Sequence, residues 1–226
     1  MKSLKKAILL LVMITLPLLI IITSIRFVLT PLFLEVEYRL PGFPQDPFGF
    51  SLEDRLHWSD ISRQYLLNSR DIDFLGSRNL DNGQSLFNER ELGHMKDVKI
   101  LTHSVLIVWY FLIILNVIIF LWVWKNGGLI EFWNSVSIGG WITLGLVAII
   151  ATGVMLNFNA LFTLFHQIFF EGDTWLFSYS DSLIRLFPLR FWQDVFIAIG
   201  GLSIIISSVA INIGRKFSHS NLLKKK

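Results

Sequence analysis

Between Glu131 and Glu171 the chain runs for 39 consecutive positions without one charged residue. A bilayer crossing takes about 20 mostly apolar residues. The run is too long for one upright span and awkward for two spans with a turn. Residues 136–158 supply one span within it, and three other stretches qualify: 7–30, 100–124 and 195–214. The expected architecture is an all-α polytopic membrane protein with four transmembrane helices. With 53% hydrophobic residues in a chain of 226, an ordinary soluble domain is excluded. There is no cysteine, so disulfides, thiolate metal sites, thiol nucleophiles and lipid attachment at cysteine are excluded too. The net charge of +3 is scattered or terminal, and nucleic acid is not an expected partner.

Charge sets the expected direction. The first stretch follows Lys2, Lys5 and Lys6 as a signal peptide would. Its apolar core is long and no small-residue cleavage site follows, so it reads as an uncleaved anchor. With residue 1 in the cytoplasm, the cytoplasmic pieces are 1–6, 125–135 and 215–226. They hold Lys2, Lys5, Lys6, Lys125, Arg215, Lys216, Lys224, Lys225 and Lys226 against a single acid, Glu131. That excess of positive charge is the positive-inside pattern. Residues 31–99 then form a small extracytoplasmic cap, and 159–194 form an extracytoplasmic interfacial segment. Both termini are expected in the cytoplasm.

Within the cap, "EVEYRL" alternates as a short strand does, and "LPGFPQDPFGF" is turn-rich. A helix is expected through "LEDRLHWSDISRQYLLNS", with Leu52, Leu56, Ile61, Leu66 and Leu67 as its apolar stripe. Beyond residue 158 an interfacial helix is expected. Asn159, Thr163, His166 and Gln167 share one face, and Phe158, Leu161, Phe162, Phe165 and Phe169 take the other sides.

The titratable groups carry the chemistry. Asn88 and Glu91 have the spacing of an N-cap pair in "NERELGHMKDVKIL", opening a helix that continues into the second span. His94 then lies six residues before the first membrane position, roughly 9 Å above it. His166 lies about eight residues past the third span, at a comparable height. Two histidines from different spans therefore fall at one depth, just above the acyl chains. Either alone reads as an interfacial histidine hydrogen-bonded to a carbonyl; the matched pair equally fits a site. His103 faces the opposite side of the helix from His94 and reads as a structural hydrogen-bonder. His57 reads as solvated, and His219 lies in the tail. Asp97, one turn from His94, could tune it, and Glu171 and Asp173 could do so for His166. Asp181 has two structural readings, a capping-box variant with Ser178 and an i,i+4 pair with Arg185. In its functional reading Asp181 orients a histidine while Arg185 engages a lipid or ester oxygen. No G-x-S-x-G or H-E-x-x-H occurs, and no metal or other cofactor is expected.

The blocks "ERELGHMKDVKIL" and "FHQIFF…DSLIRLFPLRFW", in this order and on this four-span plan, resemble the lipoprotein intramolecular transacylases of low-GC Gram-positive bacteria. The resemblance implies an acyltransferase acting on a diacylglyceryl lipoprotein in the phospholipid membrane. It would move the sn-2 acyl chain to the α-amine of the N-terminal cysteine, giving the lyso-form lipoprotein. It also implies that His94 and His166 are the catalytic pair. Two alternatives remain from the residues alone. One is a membrane scaffold or sensor; the other is a different lipid-directed, metal-dependent hydrolase.

Overall fold

A computed structural model describes residues 2–223; Met1 and 224–226 lie outside the described residues, as does the side chain of His219. The chain forms α1 (Lys2–Val28), α2 (Pro31–Glu37), α3 (Leu52–Leu67), α4 (Asp73–Gly76), α5 (Glu89–Lys125), α6 (Leu129–Phe169), α7 (Ser182–Leu186) and α8 (Leu189–Leu223). Four of these, α1, α5, α6 and α8, are long and apolar enough to cross a membrane. No strand occurs among the described residues, only an isolated bridge between Asn79 and Ser85.

Local chemistry explains where the helices begin. Thr30 accepts from the Phe33 amide, and Pro31 stands at the first helical position with its φ already set. This pair starts α2 where the alternation of "EVEYRL" predicts a strand. Phe33, Leu34 and Glu37 are the buried positions, one face of a helix. Ser51 and Asp54 close a capping box at α3. The buried face of α3 is Arg55, Ser59, Ser62 and Tyr65, not the expected leucine stripe. A buried arginine and two serines displace it because Arg55 donates to the Pro44 carbonyl at 2.6 Å. Ser62 in turn donates back to Trp58 at 2.8 Å.

α6 is two helices joined at Asn157, whose φ of −162° and ψ of 89° are not helical. The Asn157 side chain accepts from the Ala160 amide at 3.0 Å and so caps the second of them. The long uncharged run thus falls in one helical element with a break and a new cap at Asn157.

The described chain divides into two compact units. One comprises the chain up to Arg26, Leu106–Leu156 and the chain from Ala198 on; the other comprises Phe27–Val105 and Asn157–Ile197. The first is a helix bundle with Val12, Ile119, Val123, Phe132 and Val136 at its core. Its helices approach through small residues, as lipid-embedded helices do when packing rather than hydrophobic exclusion holds them. A side chain on Gly214 would meet the Trp133 carbonyl at 2.6 Å and Ser137 at 2.9 Å. Ser203 donates to Ser24 at 3.0 Å, both fully buried. Asn116 and Thr15 pair at 3.2 Å. The second unit packs Tyr65, Leu75, Leu86, Phe87, Met95, Leu183 and Leu186 together.

The close approach at Gly214 gives a direct test. Gly214→Val places branched carbons against α6 backbone that cannot yield, and overpacking of this kind costs roughly 1–3 kcal/mol. A lowered melting temperature in detergent is the expected result.

Candidate active site

The second unit is held together around the first turn of α5. Asn88 and Glu91 cap reciprocally: Glu91 Oε2 accepts from the Asn88 amide at 2.7 Å, and Asn88 Oδ1 accepts from the Glu91 amide at 3.0 Å. The other Glu91 oxygen accepts from the Leu183 amide at 2.7 Å, and the residue is 1% exposed. One carboxylate therefore starts α5 and pins the segment entering α7. Neighbours reinforce the seam. Arg90 donates to the Leu176 carbonyl at 3.0 Å and pairs with Asp173 at 3.4 Å. Asn88 donates to Asp181 at 3.3 Å, and Asp181 also accepts from the Ser178 amide at 2.8 Å. Gly172, at φ +62°, lets the chain reverse after α6. The Trp175 indole N–H then donates to the Gly172 carbonyl at 3.2 Å and closes that turn.

One turn beyond Glu91 is His94, and the seam brings it against His166. The two imidazoles stack with centroids 6.1 Å apart and planes 21° from parallel. Both are buried, at 8% and 7% exposure. Phe170 contacts both rings, at 4.8 Å from His94 and 5.5 Å from His166. Phe177 flanks His94 at 5.4 Å. Phe162 and Trp175 flank His166 at 4.2 and 4.7 Å.

The hydrogen bonding of the rings is asymmetric. His166 Nδ1 lies 2.7 Å from the Phe162 carbonyl. A carbonyl only accepts, so Nδ1 carries the proton, and in the neutral ring Nε2 holds the lone pair. His94 Nδ1 is enclosed, with no hydrogen-bond partner among the described residues. No ion pair to either ring occurs among the described residues, and no group of three His, Asp or Glu side chains there could hold a metal ion. The arrangement can take a proton at one nitrogen and give or accept one a few ångströms away, inside an aromatic wall.

The acids expected to support the histidines stand elsewhere. Asp97 is exposed. Asp173 is paired with Arg90, and Glu171 is exposed. Asp181 binds the Ser178 amide and Asn88. Arg185 pairs with Asp46 at 3.0 Å in place of Asp181 and lies 3.6 Å over the Phe50 ring. Burial pushes the Asp46 carboxyl up, but hydrogen bonds from Arg185 and the Phe50 amide outweigh it and leave the group below its ordinary value. His103 is half-buried with no hydrogen bond among the described residues, and His57 is exposed.

His166 also lies on a different stripe from the one its sequence neighbours mark. Phe158, Phe162, His166 and Phe170 form the inward face, while Asn159 and Gln167 are exposed. The sequence signal was present: these four recur every four residues.

Four helices long and apolar enough to cross a membrane, and a buried, aromatic-walled imidazole pair, are the features that set the class of protein. Comparison with known proteins makes the class specific. Residues 10–192 match the family model of the lipoprotein intramolecular transacylase Lit. The chain belongs to this family of membrane acyltransferases. It is 27% identical over 219 residues to an uncharacterised protein of Aquifex aeolicus, covering 94% of this chain and 97% of that one. Its fold is similar to the lipoprotein intramolecular transacylase Lit of Bacillus cereus, with a TM-score of 0.76 over 99% of this chain and all of that one at 17% identity. A variant of that protein with one histidine replaced by arginine gives a TM-score of 0.69, covering 99% of this chain and 96% of that one at 17% identity.

The position of Arg185 separates bracing from chemistry. The Asp46 side chain is fully enclosed, so Arg185→Met leaves its charge with the Phe50 amide but without its cation. Breaking a buried pair this way costs roughly 3 kcal/mol. The expected outcome is a lowered melting temperature, with activity lost only in proportion to the unfolded fraction.

Proposed function

We propose that this protein moves the sn-2 acyl chain of a diacylglyceryl lipoprotein onto the α-amine of its N-terminal cysteine, giving the lyso-form lipoprotein. The observation that carries this reading is the stacked pair of His94 and His166, one ring with a defined tautomer and the other with an unpartnered buried nitrogen. The donor ester and the acceptor amine belong to one substrate molecule, so bringing them together costs little further entropy. What remains is proton handling. The amine nitrogen bonds to the ester carbonyl carbon and gives up a proton; the carbon–oxygen bond to glycerol breaks, and that oxygen gains a proton. His166 Nε2 has the lone pair to accept the first. His94 Nδ1, enclosed and unbonded, is free to meet the oxyanion or the leaving oxygen. The aromatic wall would hold acyl chains and exclude the water that would otherwise hydrolyse the ester.

In this reading residues 31–99 and 159–194 face the outside of the bacterial cell membrane, with 125–135 and both termini in the cytoplasm. The lysine and arginine bias of those cytoplasmic pieces supports that direction. Phospholipid surrounds the four helices, and the substrate's own chains enter from it. Asp173 and Asp181 brace the seam and Arg185 braces the turn at Asp46; Asp97, which is exposed, has no part in this reading.

The test is expression in a host that makes diacylglyceryl lipoproteins, with lipopeptide masses read by mass spectrometry. His94→Ala and His166→Ala should each reduce lyso-form product by at least about 100-fold, the ordinary worth of a general acid or base. Both variants should remain folded in the membrane. N-acylation at the wild-type level in both would overturn the mechanism.

A further inference from the structure

A histidine that takes up a proton takes up a charge. When the proton of the amine bonds to Nε2 of His166, the ring holds hydrogen on both nitrogens and is positive until it passes a proton on. The Nδ1 hydrogen keeps the Phe162 carbonyl, 2.7 Å away. A charge in a side chain only 7% exposed is costly unless something nearby offsets it. No carboxylate stands in ion-pair range of His166 among the described residues. The titratable group in ring contact with it is His94, and an imidazole stacked at 6.1 Å supplies no negative charge.

What the ring does meet is aromatic faces. Phe162 and Trp175 lie with centroids 4.2 and 4.7 Å from the imidazole, inside the ~6 Å over which a cation is drawn to such a face. Their planes tilt 48° and 34° from the imidazole plane, away from the edge-on setting. Around His94 the rings of Phe170 and Phe177 stand steeper, at 63° and 65°. Tryptophan offers a cation the best face of any side chain, and it is His166, not His94, that has one in ring contact. Trp175 is also held in place. Its indole N–H donates to the Gly172 carbonyl at 3.2 Å, and Arg90 donates to the carbonyl of the next residue, Leu176, at 3.0 Å.

We infer that Trp175, together with Phe162, stabilises the imidazolium form of His166, its face taking the part that a carboxylate takes beside a charge-tuned histidine. Trp175 acts through His166 and is a positioning residue. The kinetic half of the inference rests on the transacylase reading; the contact between the indole face and the charged ring does not. A wall that served only to hold acyl chains would work equally well whatever its electron density. A wall that stabilises a cation weakens as electron density is drawn out of its faces.

The experiment places tryptophans of rising fluorine content at residue 175 alone, by nonsense suppression in the full-length chain. Fluorine draws electron density from the face while keeping the ring's shape and the indole N–H that closes the Gly172 turn; Trp175→Leu would lose all three. Nitrogen NMR of labelled histidine in detergent micelles, followed across pH, reads the pKa of His166 without any need for activity. That pKa should fall step by step with fluorine content, by about 1 over the series, a tenfold weaker hold on the proton. A His166 pKa that stays level would overturn the inference, whatever reaction the protein performs. On a reporter lipopeptide, kcat should fall in the same steps to roughly a tenth, with KM unchanged. A level kcat beneath a falling pKa would overturn the kinetic half, and His166 as the proton acceptor with it. If the fluorinated tryptophans lower the melting temperature, fluorinated phenylalanines at residue 162 carry the same comparison with the same expected and contrary results.

Discussion

One carboxylate organises the unit that holds the imidazole pair. Glu91 closes the first turn of α5 through the Asn88 amide and holds the Leu183 amide at the entry to α7. A buried carboxylate left with an empty oxygen would be costly; this one has both oxygens filled by backbone donors from different parts of the chain. The consequence is geometric. His94 comes three residues after Glu91, so wherever Glu91 is fixed His94 is fixed within one turn. The segment that Glu91 grips is the same one that brings Trp175 and Phe177 against the two rings.

The imidazole pair then differs from a charge-tuned acid–base site. Its neighbours are rings; Glu91, Asp173 and Asp181 are occupied with backbone amides or an arginine, and Asp97 and Glu171 are exposed. A site that must hold fatty chains gains from this arrangement, because an ionised acid in the wall would bring water with it. The polar control that remains is one carbonyl, that of Phe162, which decides the nitrogen of His166 that bears hydrogen. In the proposed reaction two nitrogens suffice, because donor and acceptor arrive already joined.

Much of this was legible in the residues. The four membrane-length helices follow from apolar length alone, and a break in the long uncharged run, found at Asn157, follows from its being too long for one upright span. The Asn88–Glu91 cap is readable because capping is local. The approach of His94 and His166 is readable because counting from the two apolar stretches puts both at one level. What sequence could not supply were partners distant along the chain. Arg185 has Asp181 at helical spacing, yet Asp46, far away in sequence, offers a deeper and better-satisfied pair. The α3 stripe holds only in part: Ile61 and Leu66 pack against the core, while the most buried face carries Arg55, which reaches Pro44, a partner no periodicity encodes. "EVEYRL" misled because alternation over a few residues is weaker than a Thr cap with proline directly after it.

The central claim is that the Phe162 carbonyl holds His166 with its proton on Nδ1, leaving Nε2 to receive the proton of the amine. Nitrogen NMR of protein carrying isotope-labelled histidine reads this directly, with the His166 signals assigned by their loss in a His166→Gln variant. The account predicts a protonated Nδ1 and an unprotonated Nε2 in the neutral ring. The opposite tautomer, with hydrogen on Nε2 and a bare Nδ1, would contradict it.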